Sequence, residues 1–137
     1  VTLGTDGSAS NNTLDILKEA YLASLLQKGT TGDTSKFRAD VFVSMATENG
    51  AKAQGRVGAG ILKEGAPADI ILIDLNAINT IPYFYLADTF LFSANSSNVY
   101  MTMVDGKILY ENGEFTTIDE EKLKFDFSNM IENFYGR

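Results

Sequence analysis

The hydrophobic pattern changes period near Gly55, and that change limits the architectures open to these 137 residues. Up to Gln54 the apolar residues recur every three or four positions, as along a helix face. From Gly55 to about Thr117 they come in short, glycine-punctuated runs, the pattern of strands and turns. Asn12 can cap a helix with Asp15 at its third position, and Leu14, Leu17, Tyr21 and Leu25 then recur at helical spacing until Lys28 and Gly29 supply a basic last turn and a stop. This predicts a helix over 13–28. Val41, Phe42, Met45 and Ala46 mark a second helix. Gly50 weakens its continuation and Thr47 can cap a third, so two short helices are expected between Arg38 and Gln54. In the second half, residues 61–62, 70–73 and 89–92 are strand candidates. Residues 99–104 and 107–110 flank Asp105-Gly106, the dipeptide a type I′ hairpin turn favours. Asp119 opens a last helix with Leu123, Phe127, Met130, Ile131 and Phe134 on one face and Gly136 beyond its end. The predicted order is a short strand at 1–3, helices, several strands, helix.

Composition then removes whole classes of chemistry. There is no histidine and no cysteine, so disulfides, Ser-His-Asp and Cys-His catalysis and His-Cys zinc fingers are all excluded within the chain. Any catalysis by these residues alone would rest on carboxylates, lysine, tyrosine or hydroxyls. A net charge of −7 argues against a phosphate-binding surface, leaving nucleic acid and anionic membranes as unexpected partners. Hydrophobic residues at 45% and charged residues at 21% are globular values, in a chain long enough for one domain with a core. No apolar run approaches the roughly 20 residues of a membrane span, and the first residues lack the order of a signal peptide. The expectation is a soluble, cytoplasmic protein. Val1 opens a strand-like piece with nothing before it to pair with, which reads as the tail of something longer.

Four features suggest chemistry, and each has a plain structural alternative. Gly55-Arg56-Val57-Gly58-Ala59-Gly60 looks like a phosphate loop, but it follows a helix instead of a strand and has its glycines in the wrong order, so it reads as a connection between layers. The acids at Asp119, Glu120 and Glu121, and at Glu111 and Glu114, suit a helix first turn and a solvated hairpin tip. Tyr83-Phe84-Tyr85 either lines a pocket or covers an apolar layer. Asp6 differs, because it follows a short apolar strand and precedes a capped helix in Gly4-Thr5-Asp6-Gly7-Ser8-Ala9-Ser10-Asn11-Asn12. Barrel enzymes keep catalytic groups at such a strand end; an Asx-turn residue shaping the loop fits the same position.

Read together, VTLGTDGSASNNTLDIL, MATENGAKAQG, GILKEGAPADIILIDL and SANSSNVYMTMVDGKILYENGE resemble the C-terminal third of an amidohydrolase-superfamily deaminase, in the chlorohydrolase branch that includes 5-methylthioadenosine/S-adenosylhomocysteine deaminases. The resemblance runs from Val1 to about Leu123. TDG-x-ASNN and G-x-L-x-x-G-x-x-ADIILIDL carry it jointly.

The resemblance implies an α/β fragment. The last βα unit of a metal-dependent (β/α)8 barrel and its following helices would occupy 1–55, the C-terminal half of the amidohydrolase β-sandwich 56–118, and a terminal helix 119–137. It implies one divalent metal, zinc or iron, held in the parent enzyme by two histidines after the first strand, one after the fifth and an aspartate after the eighth. By motif match Asp6 is that aspartate, both metal ligand and catalytic proton shuttle in the hydrolytic deamination of a purine nucleoside-like or other aromatic amine, or in a chlorohydrolase reaction. Ser10 and Asn11 are candidates for orienting the loop or touching the small-molecule substrate. The chain departs from the family in lacking every histidine, and around Ala66-Pro67 and residues 78–88, which leaves the substrate open. Alone it is expected to be inactive and to bind no metal tightly. The expected partners are the missing N-terminal part of the same enzyme and a second copy in a homo-oligomer, covering unpaired strand edges and the face bearing Leu14, Leu17, Tyr21 and Leu25. The alternative is a non-catalytic binding or assembly module built on the same sandwich. A self-contained carboxylate hydrolase has no paired acids in its favour.

Overall fold

Asp15, not Asn12, begins the first helix. The computed structural model describes residues 1–136. In it Asn11 spends its side-chain oxygen on the Thr13 backbone N–H and hydroxyl, at 3.0 and 2.8 Å, and Leu14 adopts a positive φ of 46°. Asp15 Oδ1 then accepts from the backbone N–H groups of Leu17 and Lys18. Helix α1 therefore spans Ile16–Thr31 and stops at Gly32, in the left-handed region. The expected stop at Gly29 is overrun by three residues; the hydroxyls of Thr30 and Thr31 donate to the last-turn carbonyls of Leu26 and Gln27.

Two short helices follow as expected, α2 over Ala39–Ala46 and α3 over Glu48–Ala53. Thr47 separates them but does not cap α3 with its side chain, since its hydroxyl donates back to the Val43 carbonyl at 2.8 Å. The strand expected at 89–92 is instead the helix α4, Leu86–Phe92. A four-residue apolar run fits either element by periodicity, and packing decides: Thr89 and Leu91 turn inward. Leu91 completes a core with Ala20 of α1 and Ala39 and Phe42 of α2, flanked by Leu3, Ala23, Phe37, Met45 and Ala87. Small residues on α1 let α2 and α4 approach, while Leu14, Tyr21 and Leu25 stay exposed.

The strands form one antiparallel sheet in the order β1-β2-β3-β4. They are β1 Ile70–Ile73, β2 Val99–Val104, β3 Lys107–Glu111 and the two-residue β4 Glu114–Phe115. The β2–β3 turn is the expected one, with Asp105 and Gly106 both at positive φ, 50° and 77°. Asn112 and Gly113 repeat the device, at 49° and 91°, and bring β4 back on β3. Neither 1–3 nor 61–62 forms a strand. The last helix, α5, spans Glu120–Tyr135 with Asp119 as its cap and buries none of its residues.

Two contacts fasten the sheet to the helices. Gly60, at φ +77°, lies against the backbone between α2 and α3. Near Ser96–Asn98, a single 3-10 turn, the buried Asn98 amide accepts from Asn79 Nδ2 at 2.8 Å and from the Asn95 backbone N–H at 3.0 Å.

Candidate functional site

Asp6 sits in the loop 4–12, which is ordered mainly by its own residues. The Gly7 carbonyl accepts from the backbone N–H groups of Ser10 and Asn11, at 2.9 and 3.0 Å. Asp6 takes a φ of 59°, a region that aspartate tolerates better than most residues, and its Oδ1 accepts the Gly7 N–H at 2.7 Å. Among the described residues nothing donates to Oδ2, and the side chain is exposed. Upstream, the Thr2 hydroxyl and the Leu3 N–H both donate to the Met45 carbonyl, at 3.0 and 3.4 Å. The segment before Asp6 is thus extended along the end of α2 without joining a sheet.

The other two candidates fare differently. Ser10 is exposed beside Asp6 in the same loop. Asn11 is half-buried and already engaged at both ends, because its Nδ2 donates to Glu19 Oε1 at 2.7 Å while its Oδ1 serves Thr13. That makes Asn11 a loop-shaping residue in this chain. Among the described residues no three His, Cys, Asp or Glu side chains converge, so Asp6 fits one oxygen ligand of a divalent ion and the chain does not assemble the remainder of such a site.

A carboxylate held in its charged form by contacts between distant parts of the chain lies elsewhere. Asp69 accepts the Asp105 backbone N–H at 2.8 Å through Oδ1 and pairs with the Arg56 guanidinium through Oδ2. The Asp105 hydrogen bond foremost holds its carboxyl below the usual 3.8; desolvation opposes it, and the Arg56 hydrogen bond and charge add to the lowering. The Gly106 N–H also donates to the Ala68 carbonyl at 3.0 Å. Arg56 and Asp69 flank an open cavity of about 670 Å³ between the α2–α3 joint and the sheet, whose walls include Leu3, Ile16, Ile70 and Met103. Asp6 does not line it. Tyr83, Phe84 and Tyr85 neither line it nor cover a layer; they are exposed. The Asp69 clamp was missed in the sequence because its partners lie 13 and 36 residues away.

Residues 1–109 match the Amidohydrolase family. This chain belongs to that family. It is 46% identical over 136 residues to the 5-methylthioadenosine/S-adenosylhomocysteine deaminase of Pyrococcus horikoshii, covering 99% of this chain and 30% of that protein. It is 44% identical over 137 residues to the 5′-deoxyadenosine deaminase of Methanosarcina acetivorans, covering 100% of this chain and 32% of that one. The crystal structure of an adenosine deaminase from Xanthomonas campestris with bound zinc superposes with a TM-score of 0.92 at 28% identity, over 99% of this chain and 31% of that one. The chain thus spans about a third of the length of these amidohydrolase relatives. Among its described residues no helix is long and apolar enough to cross a membrane.

Proposed function

We propose that these residues form the C-terminal part of a zinc-dependent hydrolytic deaminase that acts on an adenosine-like nucleoside. The observation that carries this reading is identity above 40% over nearly the whole chain to proteins named as deaminases of such nucleosides. In this reading residues 1–55 close a (β/α)8 barrel, 56–118 supply one half of a neighbouring β-sandwich and 119–137 a terminal helix. α4 belongs with the helices by its packing, so the sandwich segment is interrupted there.

Asp6 would hold the ion through its free Oδ2, with the other ligands coming from outside these residues. A bound divalent ion supplies water activated near neutral pH. Asp6, held in place by the Gly7 N–H, would take up a proton at its carboxylate and return it toward the departing ammonia. Ser10, exposed in the same loop, would meet substrate, whereas Asn11 would keep the loop in shape. A second copy and the remaining two-thirds of the polypeptide would cover the exposed face at Leu14, Tyr21 and Leu25.

The test is ammonia release from 5′-deoxyadenosine and 5′-methylthioadenosine by the polypeptide that carries this sequence at the length of its relatives, beside its Asp6→Asn variant. Loss of about 10²-fold or more in kcat with retained folding is expected, the size typical of a proton-transfer group. Unchanged turnover in the variant would remove Asp6 from the chemistry. The 137 residues alone are expected to show neither turnover nor a tightly held equivalent of zinc.

A further inference from the structure

Among the described residues one hydrogen bond joins the loop 4–12 to a helix. Asn11 Nδ2 donates to Glu19 Oε1 at 2.7 Å, across eight positions of the chain. Glu19 lies in the first turn of α1. Side chains of a helix lean toward its N-terminus, so a long one in that turn reaches back to the loop that precedes the helix. The helix dipole alone favours an acid there, but a carboxylate serving only the dipole stays in solvent. Glu19 is half-buried instead, and its oxygen is engaged in a charge-assisted bond.

The chemistry of the partners fixes the Asn11 amide in one orientation. A backbone N–H can only donate and a carboxylate can only accept, so the amide oxygen must face Thr13 and the nitrogen Glu19. From Asn11 the contacts continue to Asp6. The Asn11 backbone N–H donates to the Gly7 carbonyl at 3.0 Å, and the Gly7 N–H donates to Asp6 Oδ1 at 2.7 Å. Three hydrogen bonds in series thus lead from α1 to the Asp6 carboxylate. Asp6 itself stands at a φ of 59°, a backbone conformation that persists where the surroundings hold it.

We propose that Glu19 is a positioning residue for Asp6: acting through Asn11 and Gly7, it holds the loop in the form that presents Oδ2. The proposal rests on the functional reading, in which that oxygen holds a divalent ion. The polypeptide that carries this sequence at the length of its relatives tests it, by zinc retention against a chelator and by ammonia release from 5′-deoxyadenosine and 5′-methylthioadenosine. Glu19→Ala should lose zinc about tenfold more readily, the lower end of what supports of metal ligands contribute, and should lower kcat more than it raises KM. Glu19→Gln keeps an acceptor and should recover most of that loss. Asn11→Asp sets two carboxylates against each other and should be impaired as well. Adding Glu19→Gln to it restores the bond with donor and acceptor exchanged, and activity and zinc retention should return together. A role in helix stability alone predicts no such return, and urea midpoints check that each variant folds. Native zinc retention and kcat in Glu19→Ala overturn the proposal, as does a double variant no better than Asn11→Asp. Should the native polypeptide release no ammonia, the functional reading fails by itself, and Glu19 is judged by zinc retention. Should it hold no zinc either, the Gly7 amide resonance of the 137-residue chain decides: it should move in Glu19→Ala and return in Glu19→Gln, and an unmoved resonance overturns the proposal.

Discussion

Substituting Gly60 by alanine should destabilise the chain far more than the same change two residues earlier, and the difference measures how tightly the sheet is docked on the helices. Both glycines have positive φ, +79° at Gly58 and +77° at Gly60, so both alanines incur the same backbone strain, about 1–2 kcal/mol. At Gly58 a new Cβ meets nothing within 4 Å. At Gly60 it would stand 2.7 Å from the carbonyl carbon and oxygen of Thr47 and from the Glu48 nitrogen. Those are backbone atoms and cannot rotate aside, and the Thr47 oxygen accepts the first hydrogen bond of α3, from Ala51 at 2.9 Å. Overpacking of this kind costs about 1–3 kcal/mol, giving about 2–5 kcal/mol for Gly60→Ala against 1–2 for Gly58→Ala. Urea unfolding followed by far-UV circular dichroism reads the difference directly, with an unchanged m-value certifying that compactness is not what moved. Equal losses at the two positions would refute the close approach of Gly60 to the α2–α3 joint and the docking argument built on it.

Asp69 should make the chain acid-sensitive over a defined window. Its carboxyl is held below 3.8 in the folded state, so its contribution is complete above that value and is lost as pH falls through it toward the lower folded pKa. Stability curves between pH 6 and about 2 should therefore be steeper for the native chain than for Asp69→Asn; parallel curves would show that the Asp105 and Arg56 contacts do not persist in solution. Asn98→Ala should cost about 1–2 kcal/mol, because it removes the buried amide that joins Asn79, Asn95 and the Asp74 carbonyl, and denaturant midpoints near the native value would show the network to be dispensable.

What the sequence made legible follows how local each signal is. The β2–β3 hairpin and the division into α2 and α3 depend on neighbours within four residues, and the structure has both. The same local code was present at Asn112-Gly113 and went unread, because the return strand it serves is only two residues long. The start of α1 was misplaced since Asn11, Asn12 and Asp15 are all competent caps. The choice fell to Asp15 once Asn11 was held by Thr13 and by Glu19 eight residues away. At 89–92 a run too short to show a period took its conformation from a core supplied by α1 and α2. The loop position of Asp6 was readable from its flanks. Asn98 was not, because it joins residues 19 and 24 positions away and nothing in its surroundings repeats.

The joint between α2 and α3 links the candidate site to the sheet. On one side the Met45 carbonyl holds Thr2 and Leu3, the residues that lead into the Asp6 loop. On the other, Gly60 rests on Thr47 and leads into β1. Any shift of the sheet that moves Thr47 therefore displaces the carbonyl two residues before it. The two hydrogen bonds at Met45 are each worth about 0.5–1.5 kcal/mol, and the Thr2 end is exposed. Within these residues they and the Asn11–Glu19 bond at the far end of the loop are the polar tethers of a carboxylate that otherwise rests on bonds inside its own loop. A loop so lightly held does not fix a metal ligand to the fraction of an ångström that catalysis needs. In the proposed function the precision required of Asp6 would come from groups outside these residues, and for that reason the Asp6→Asn comparison belongs in the longer polypeptide.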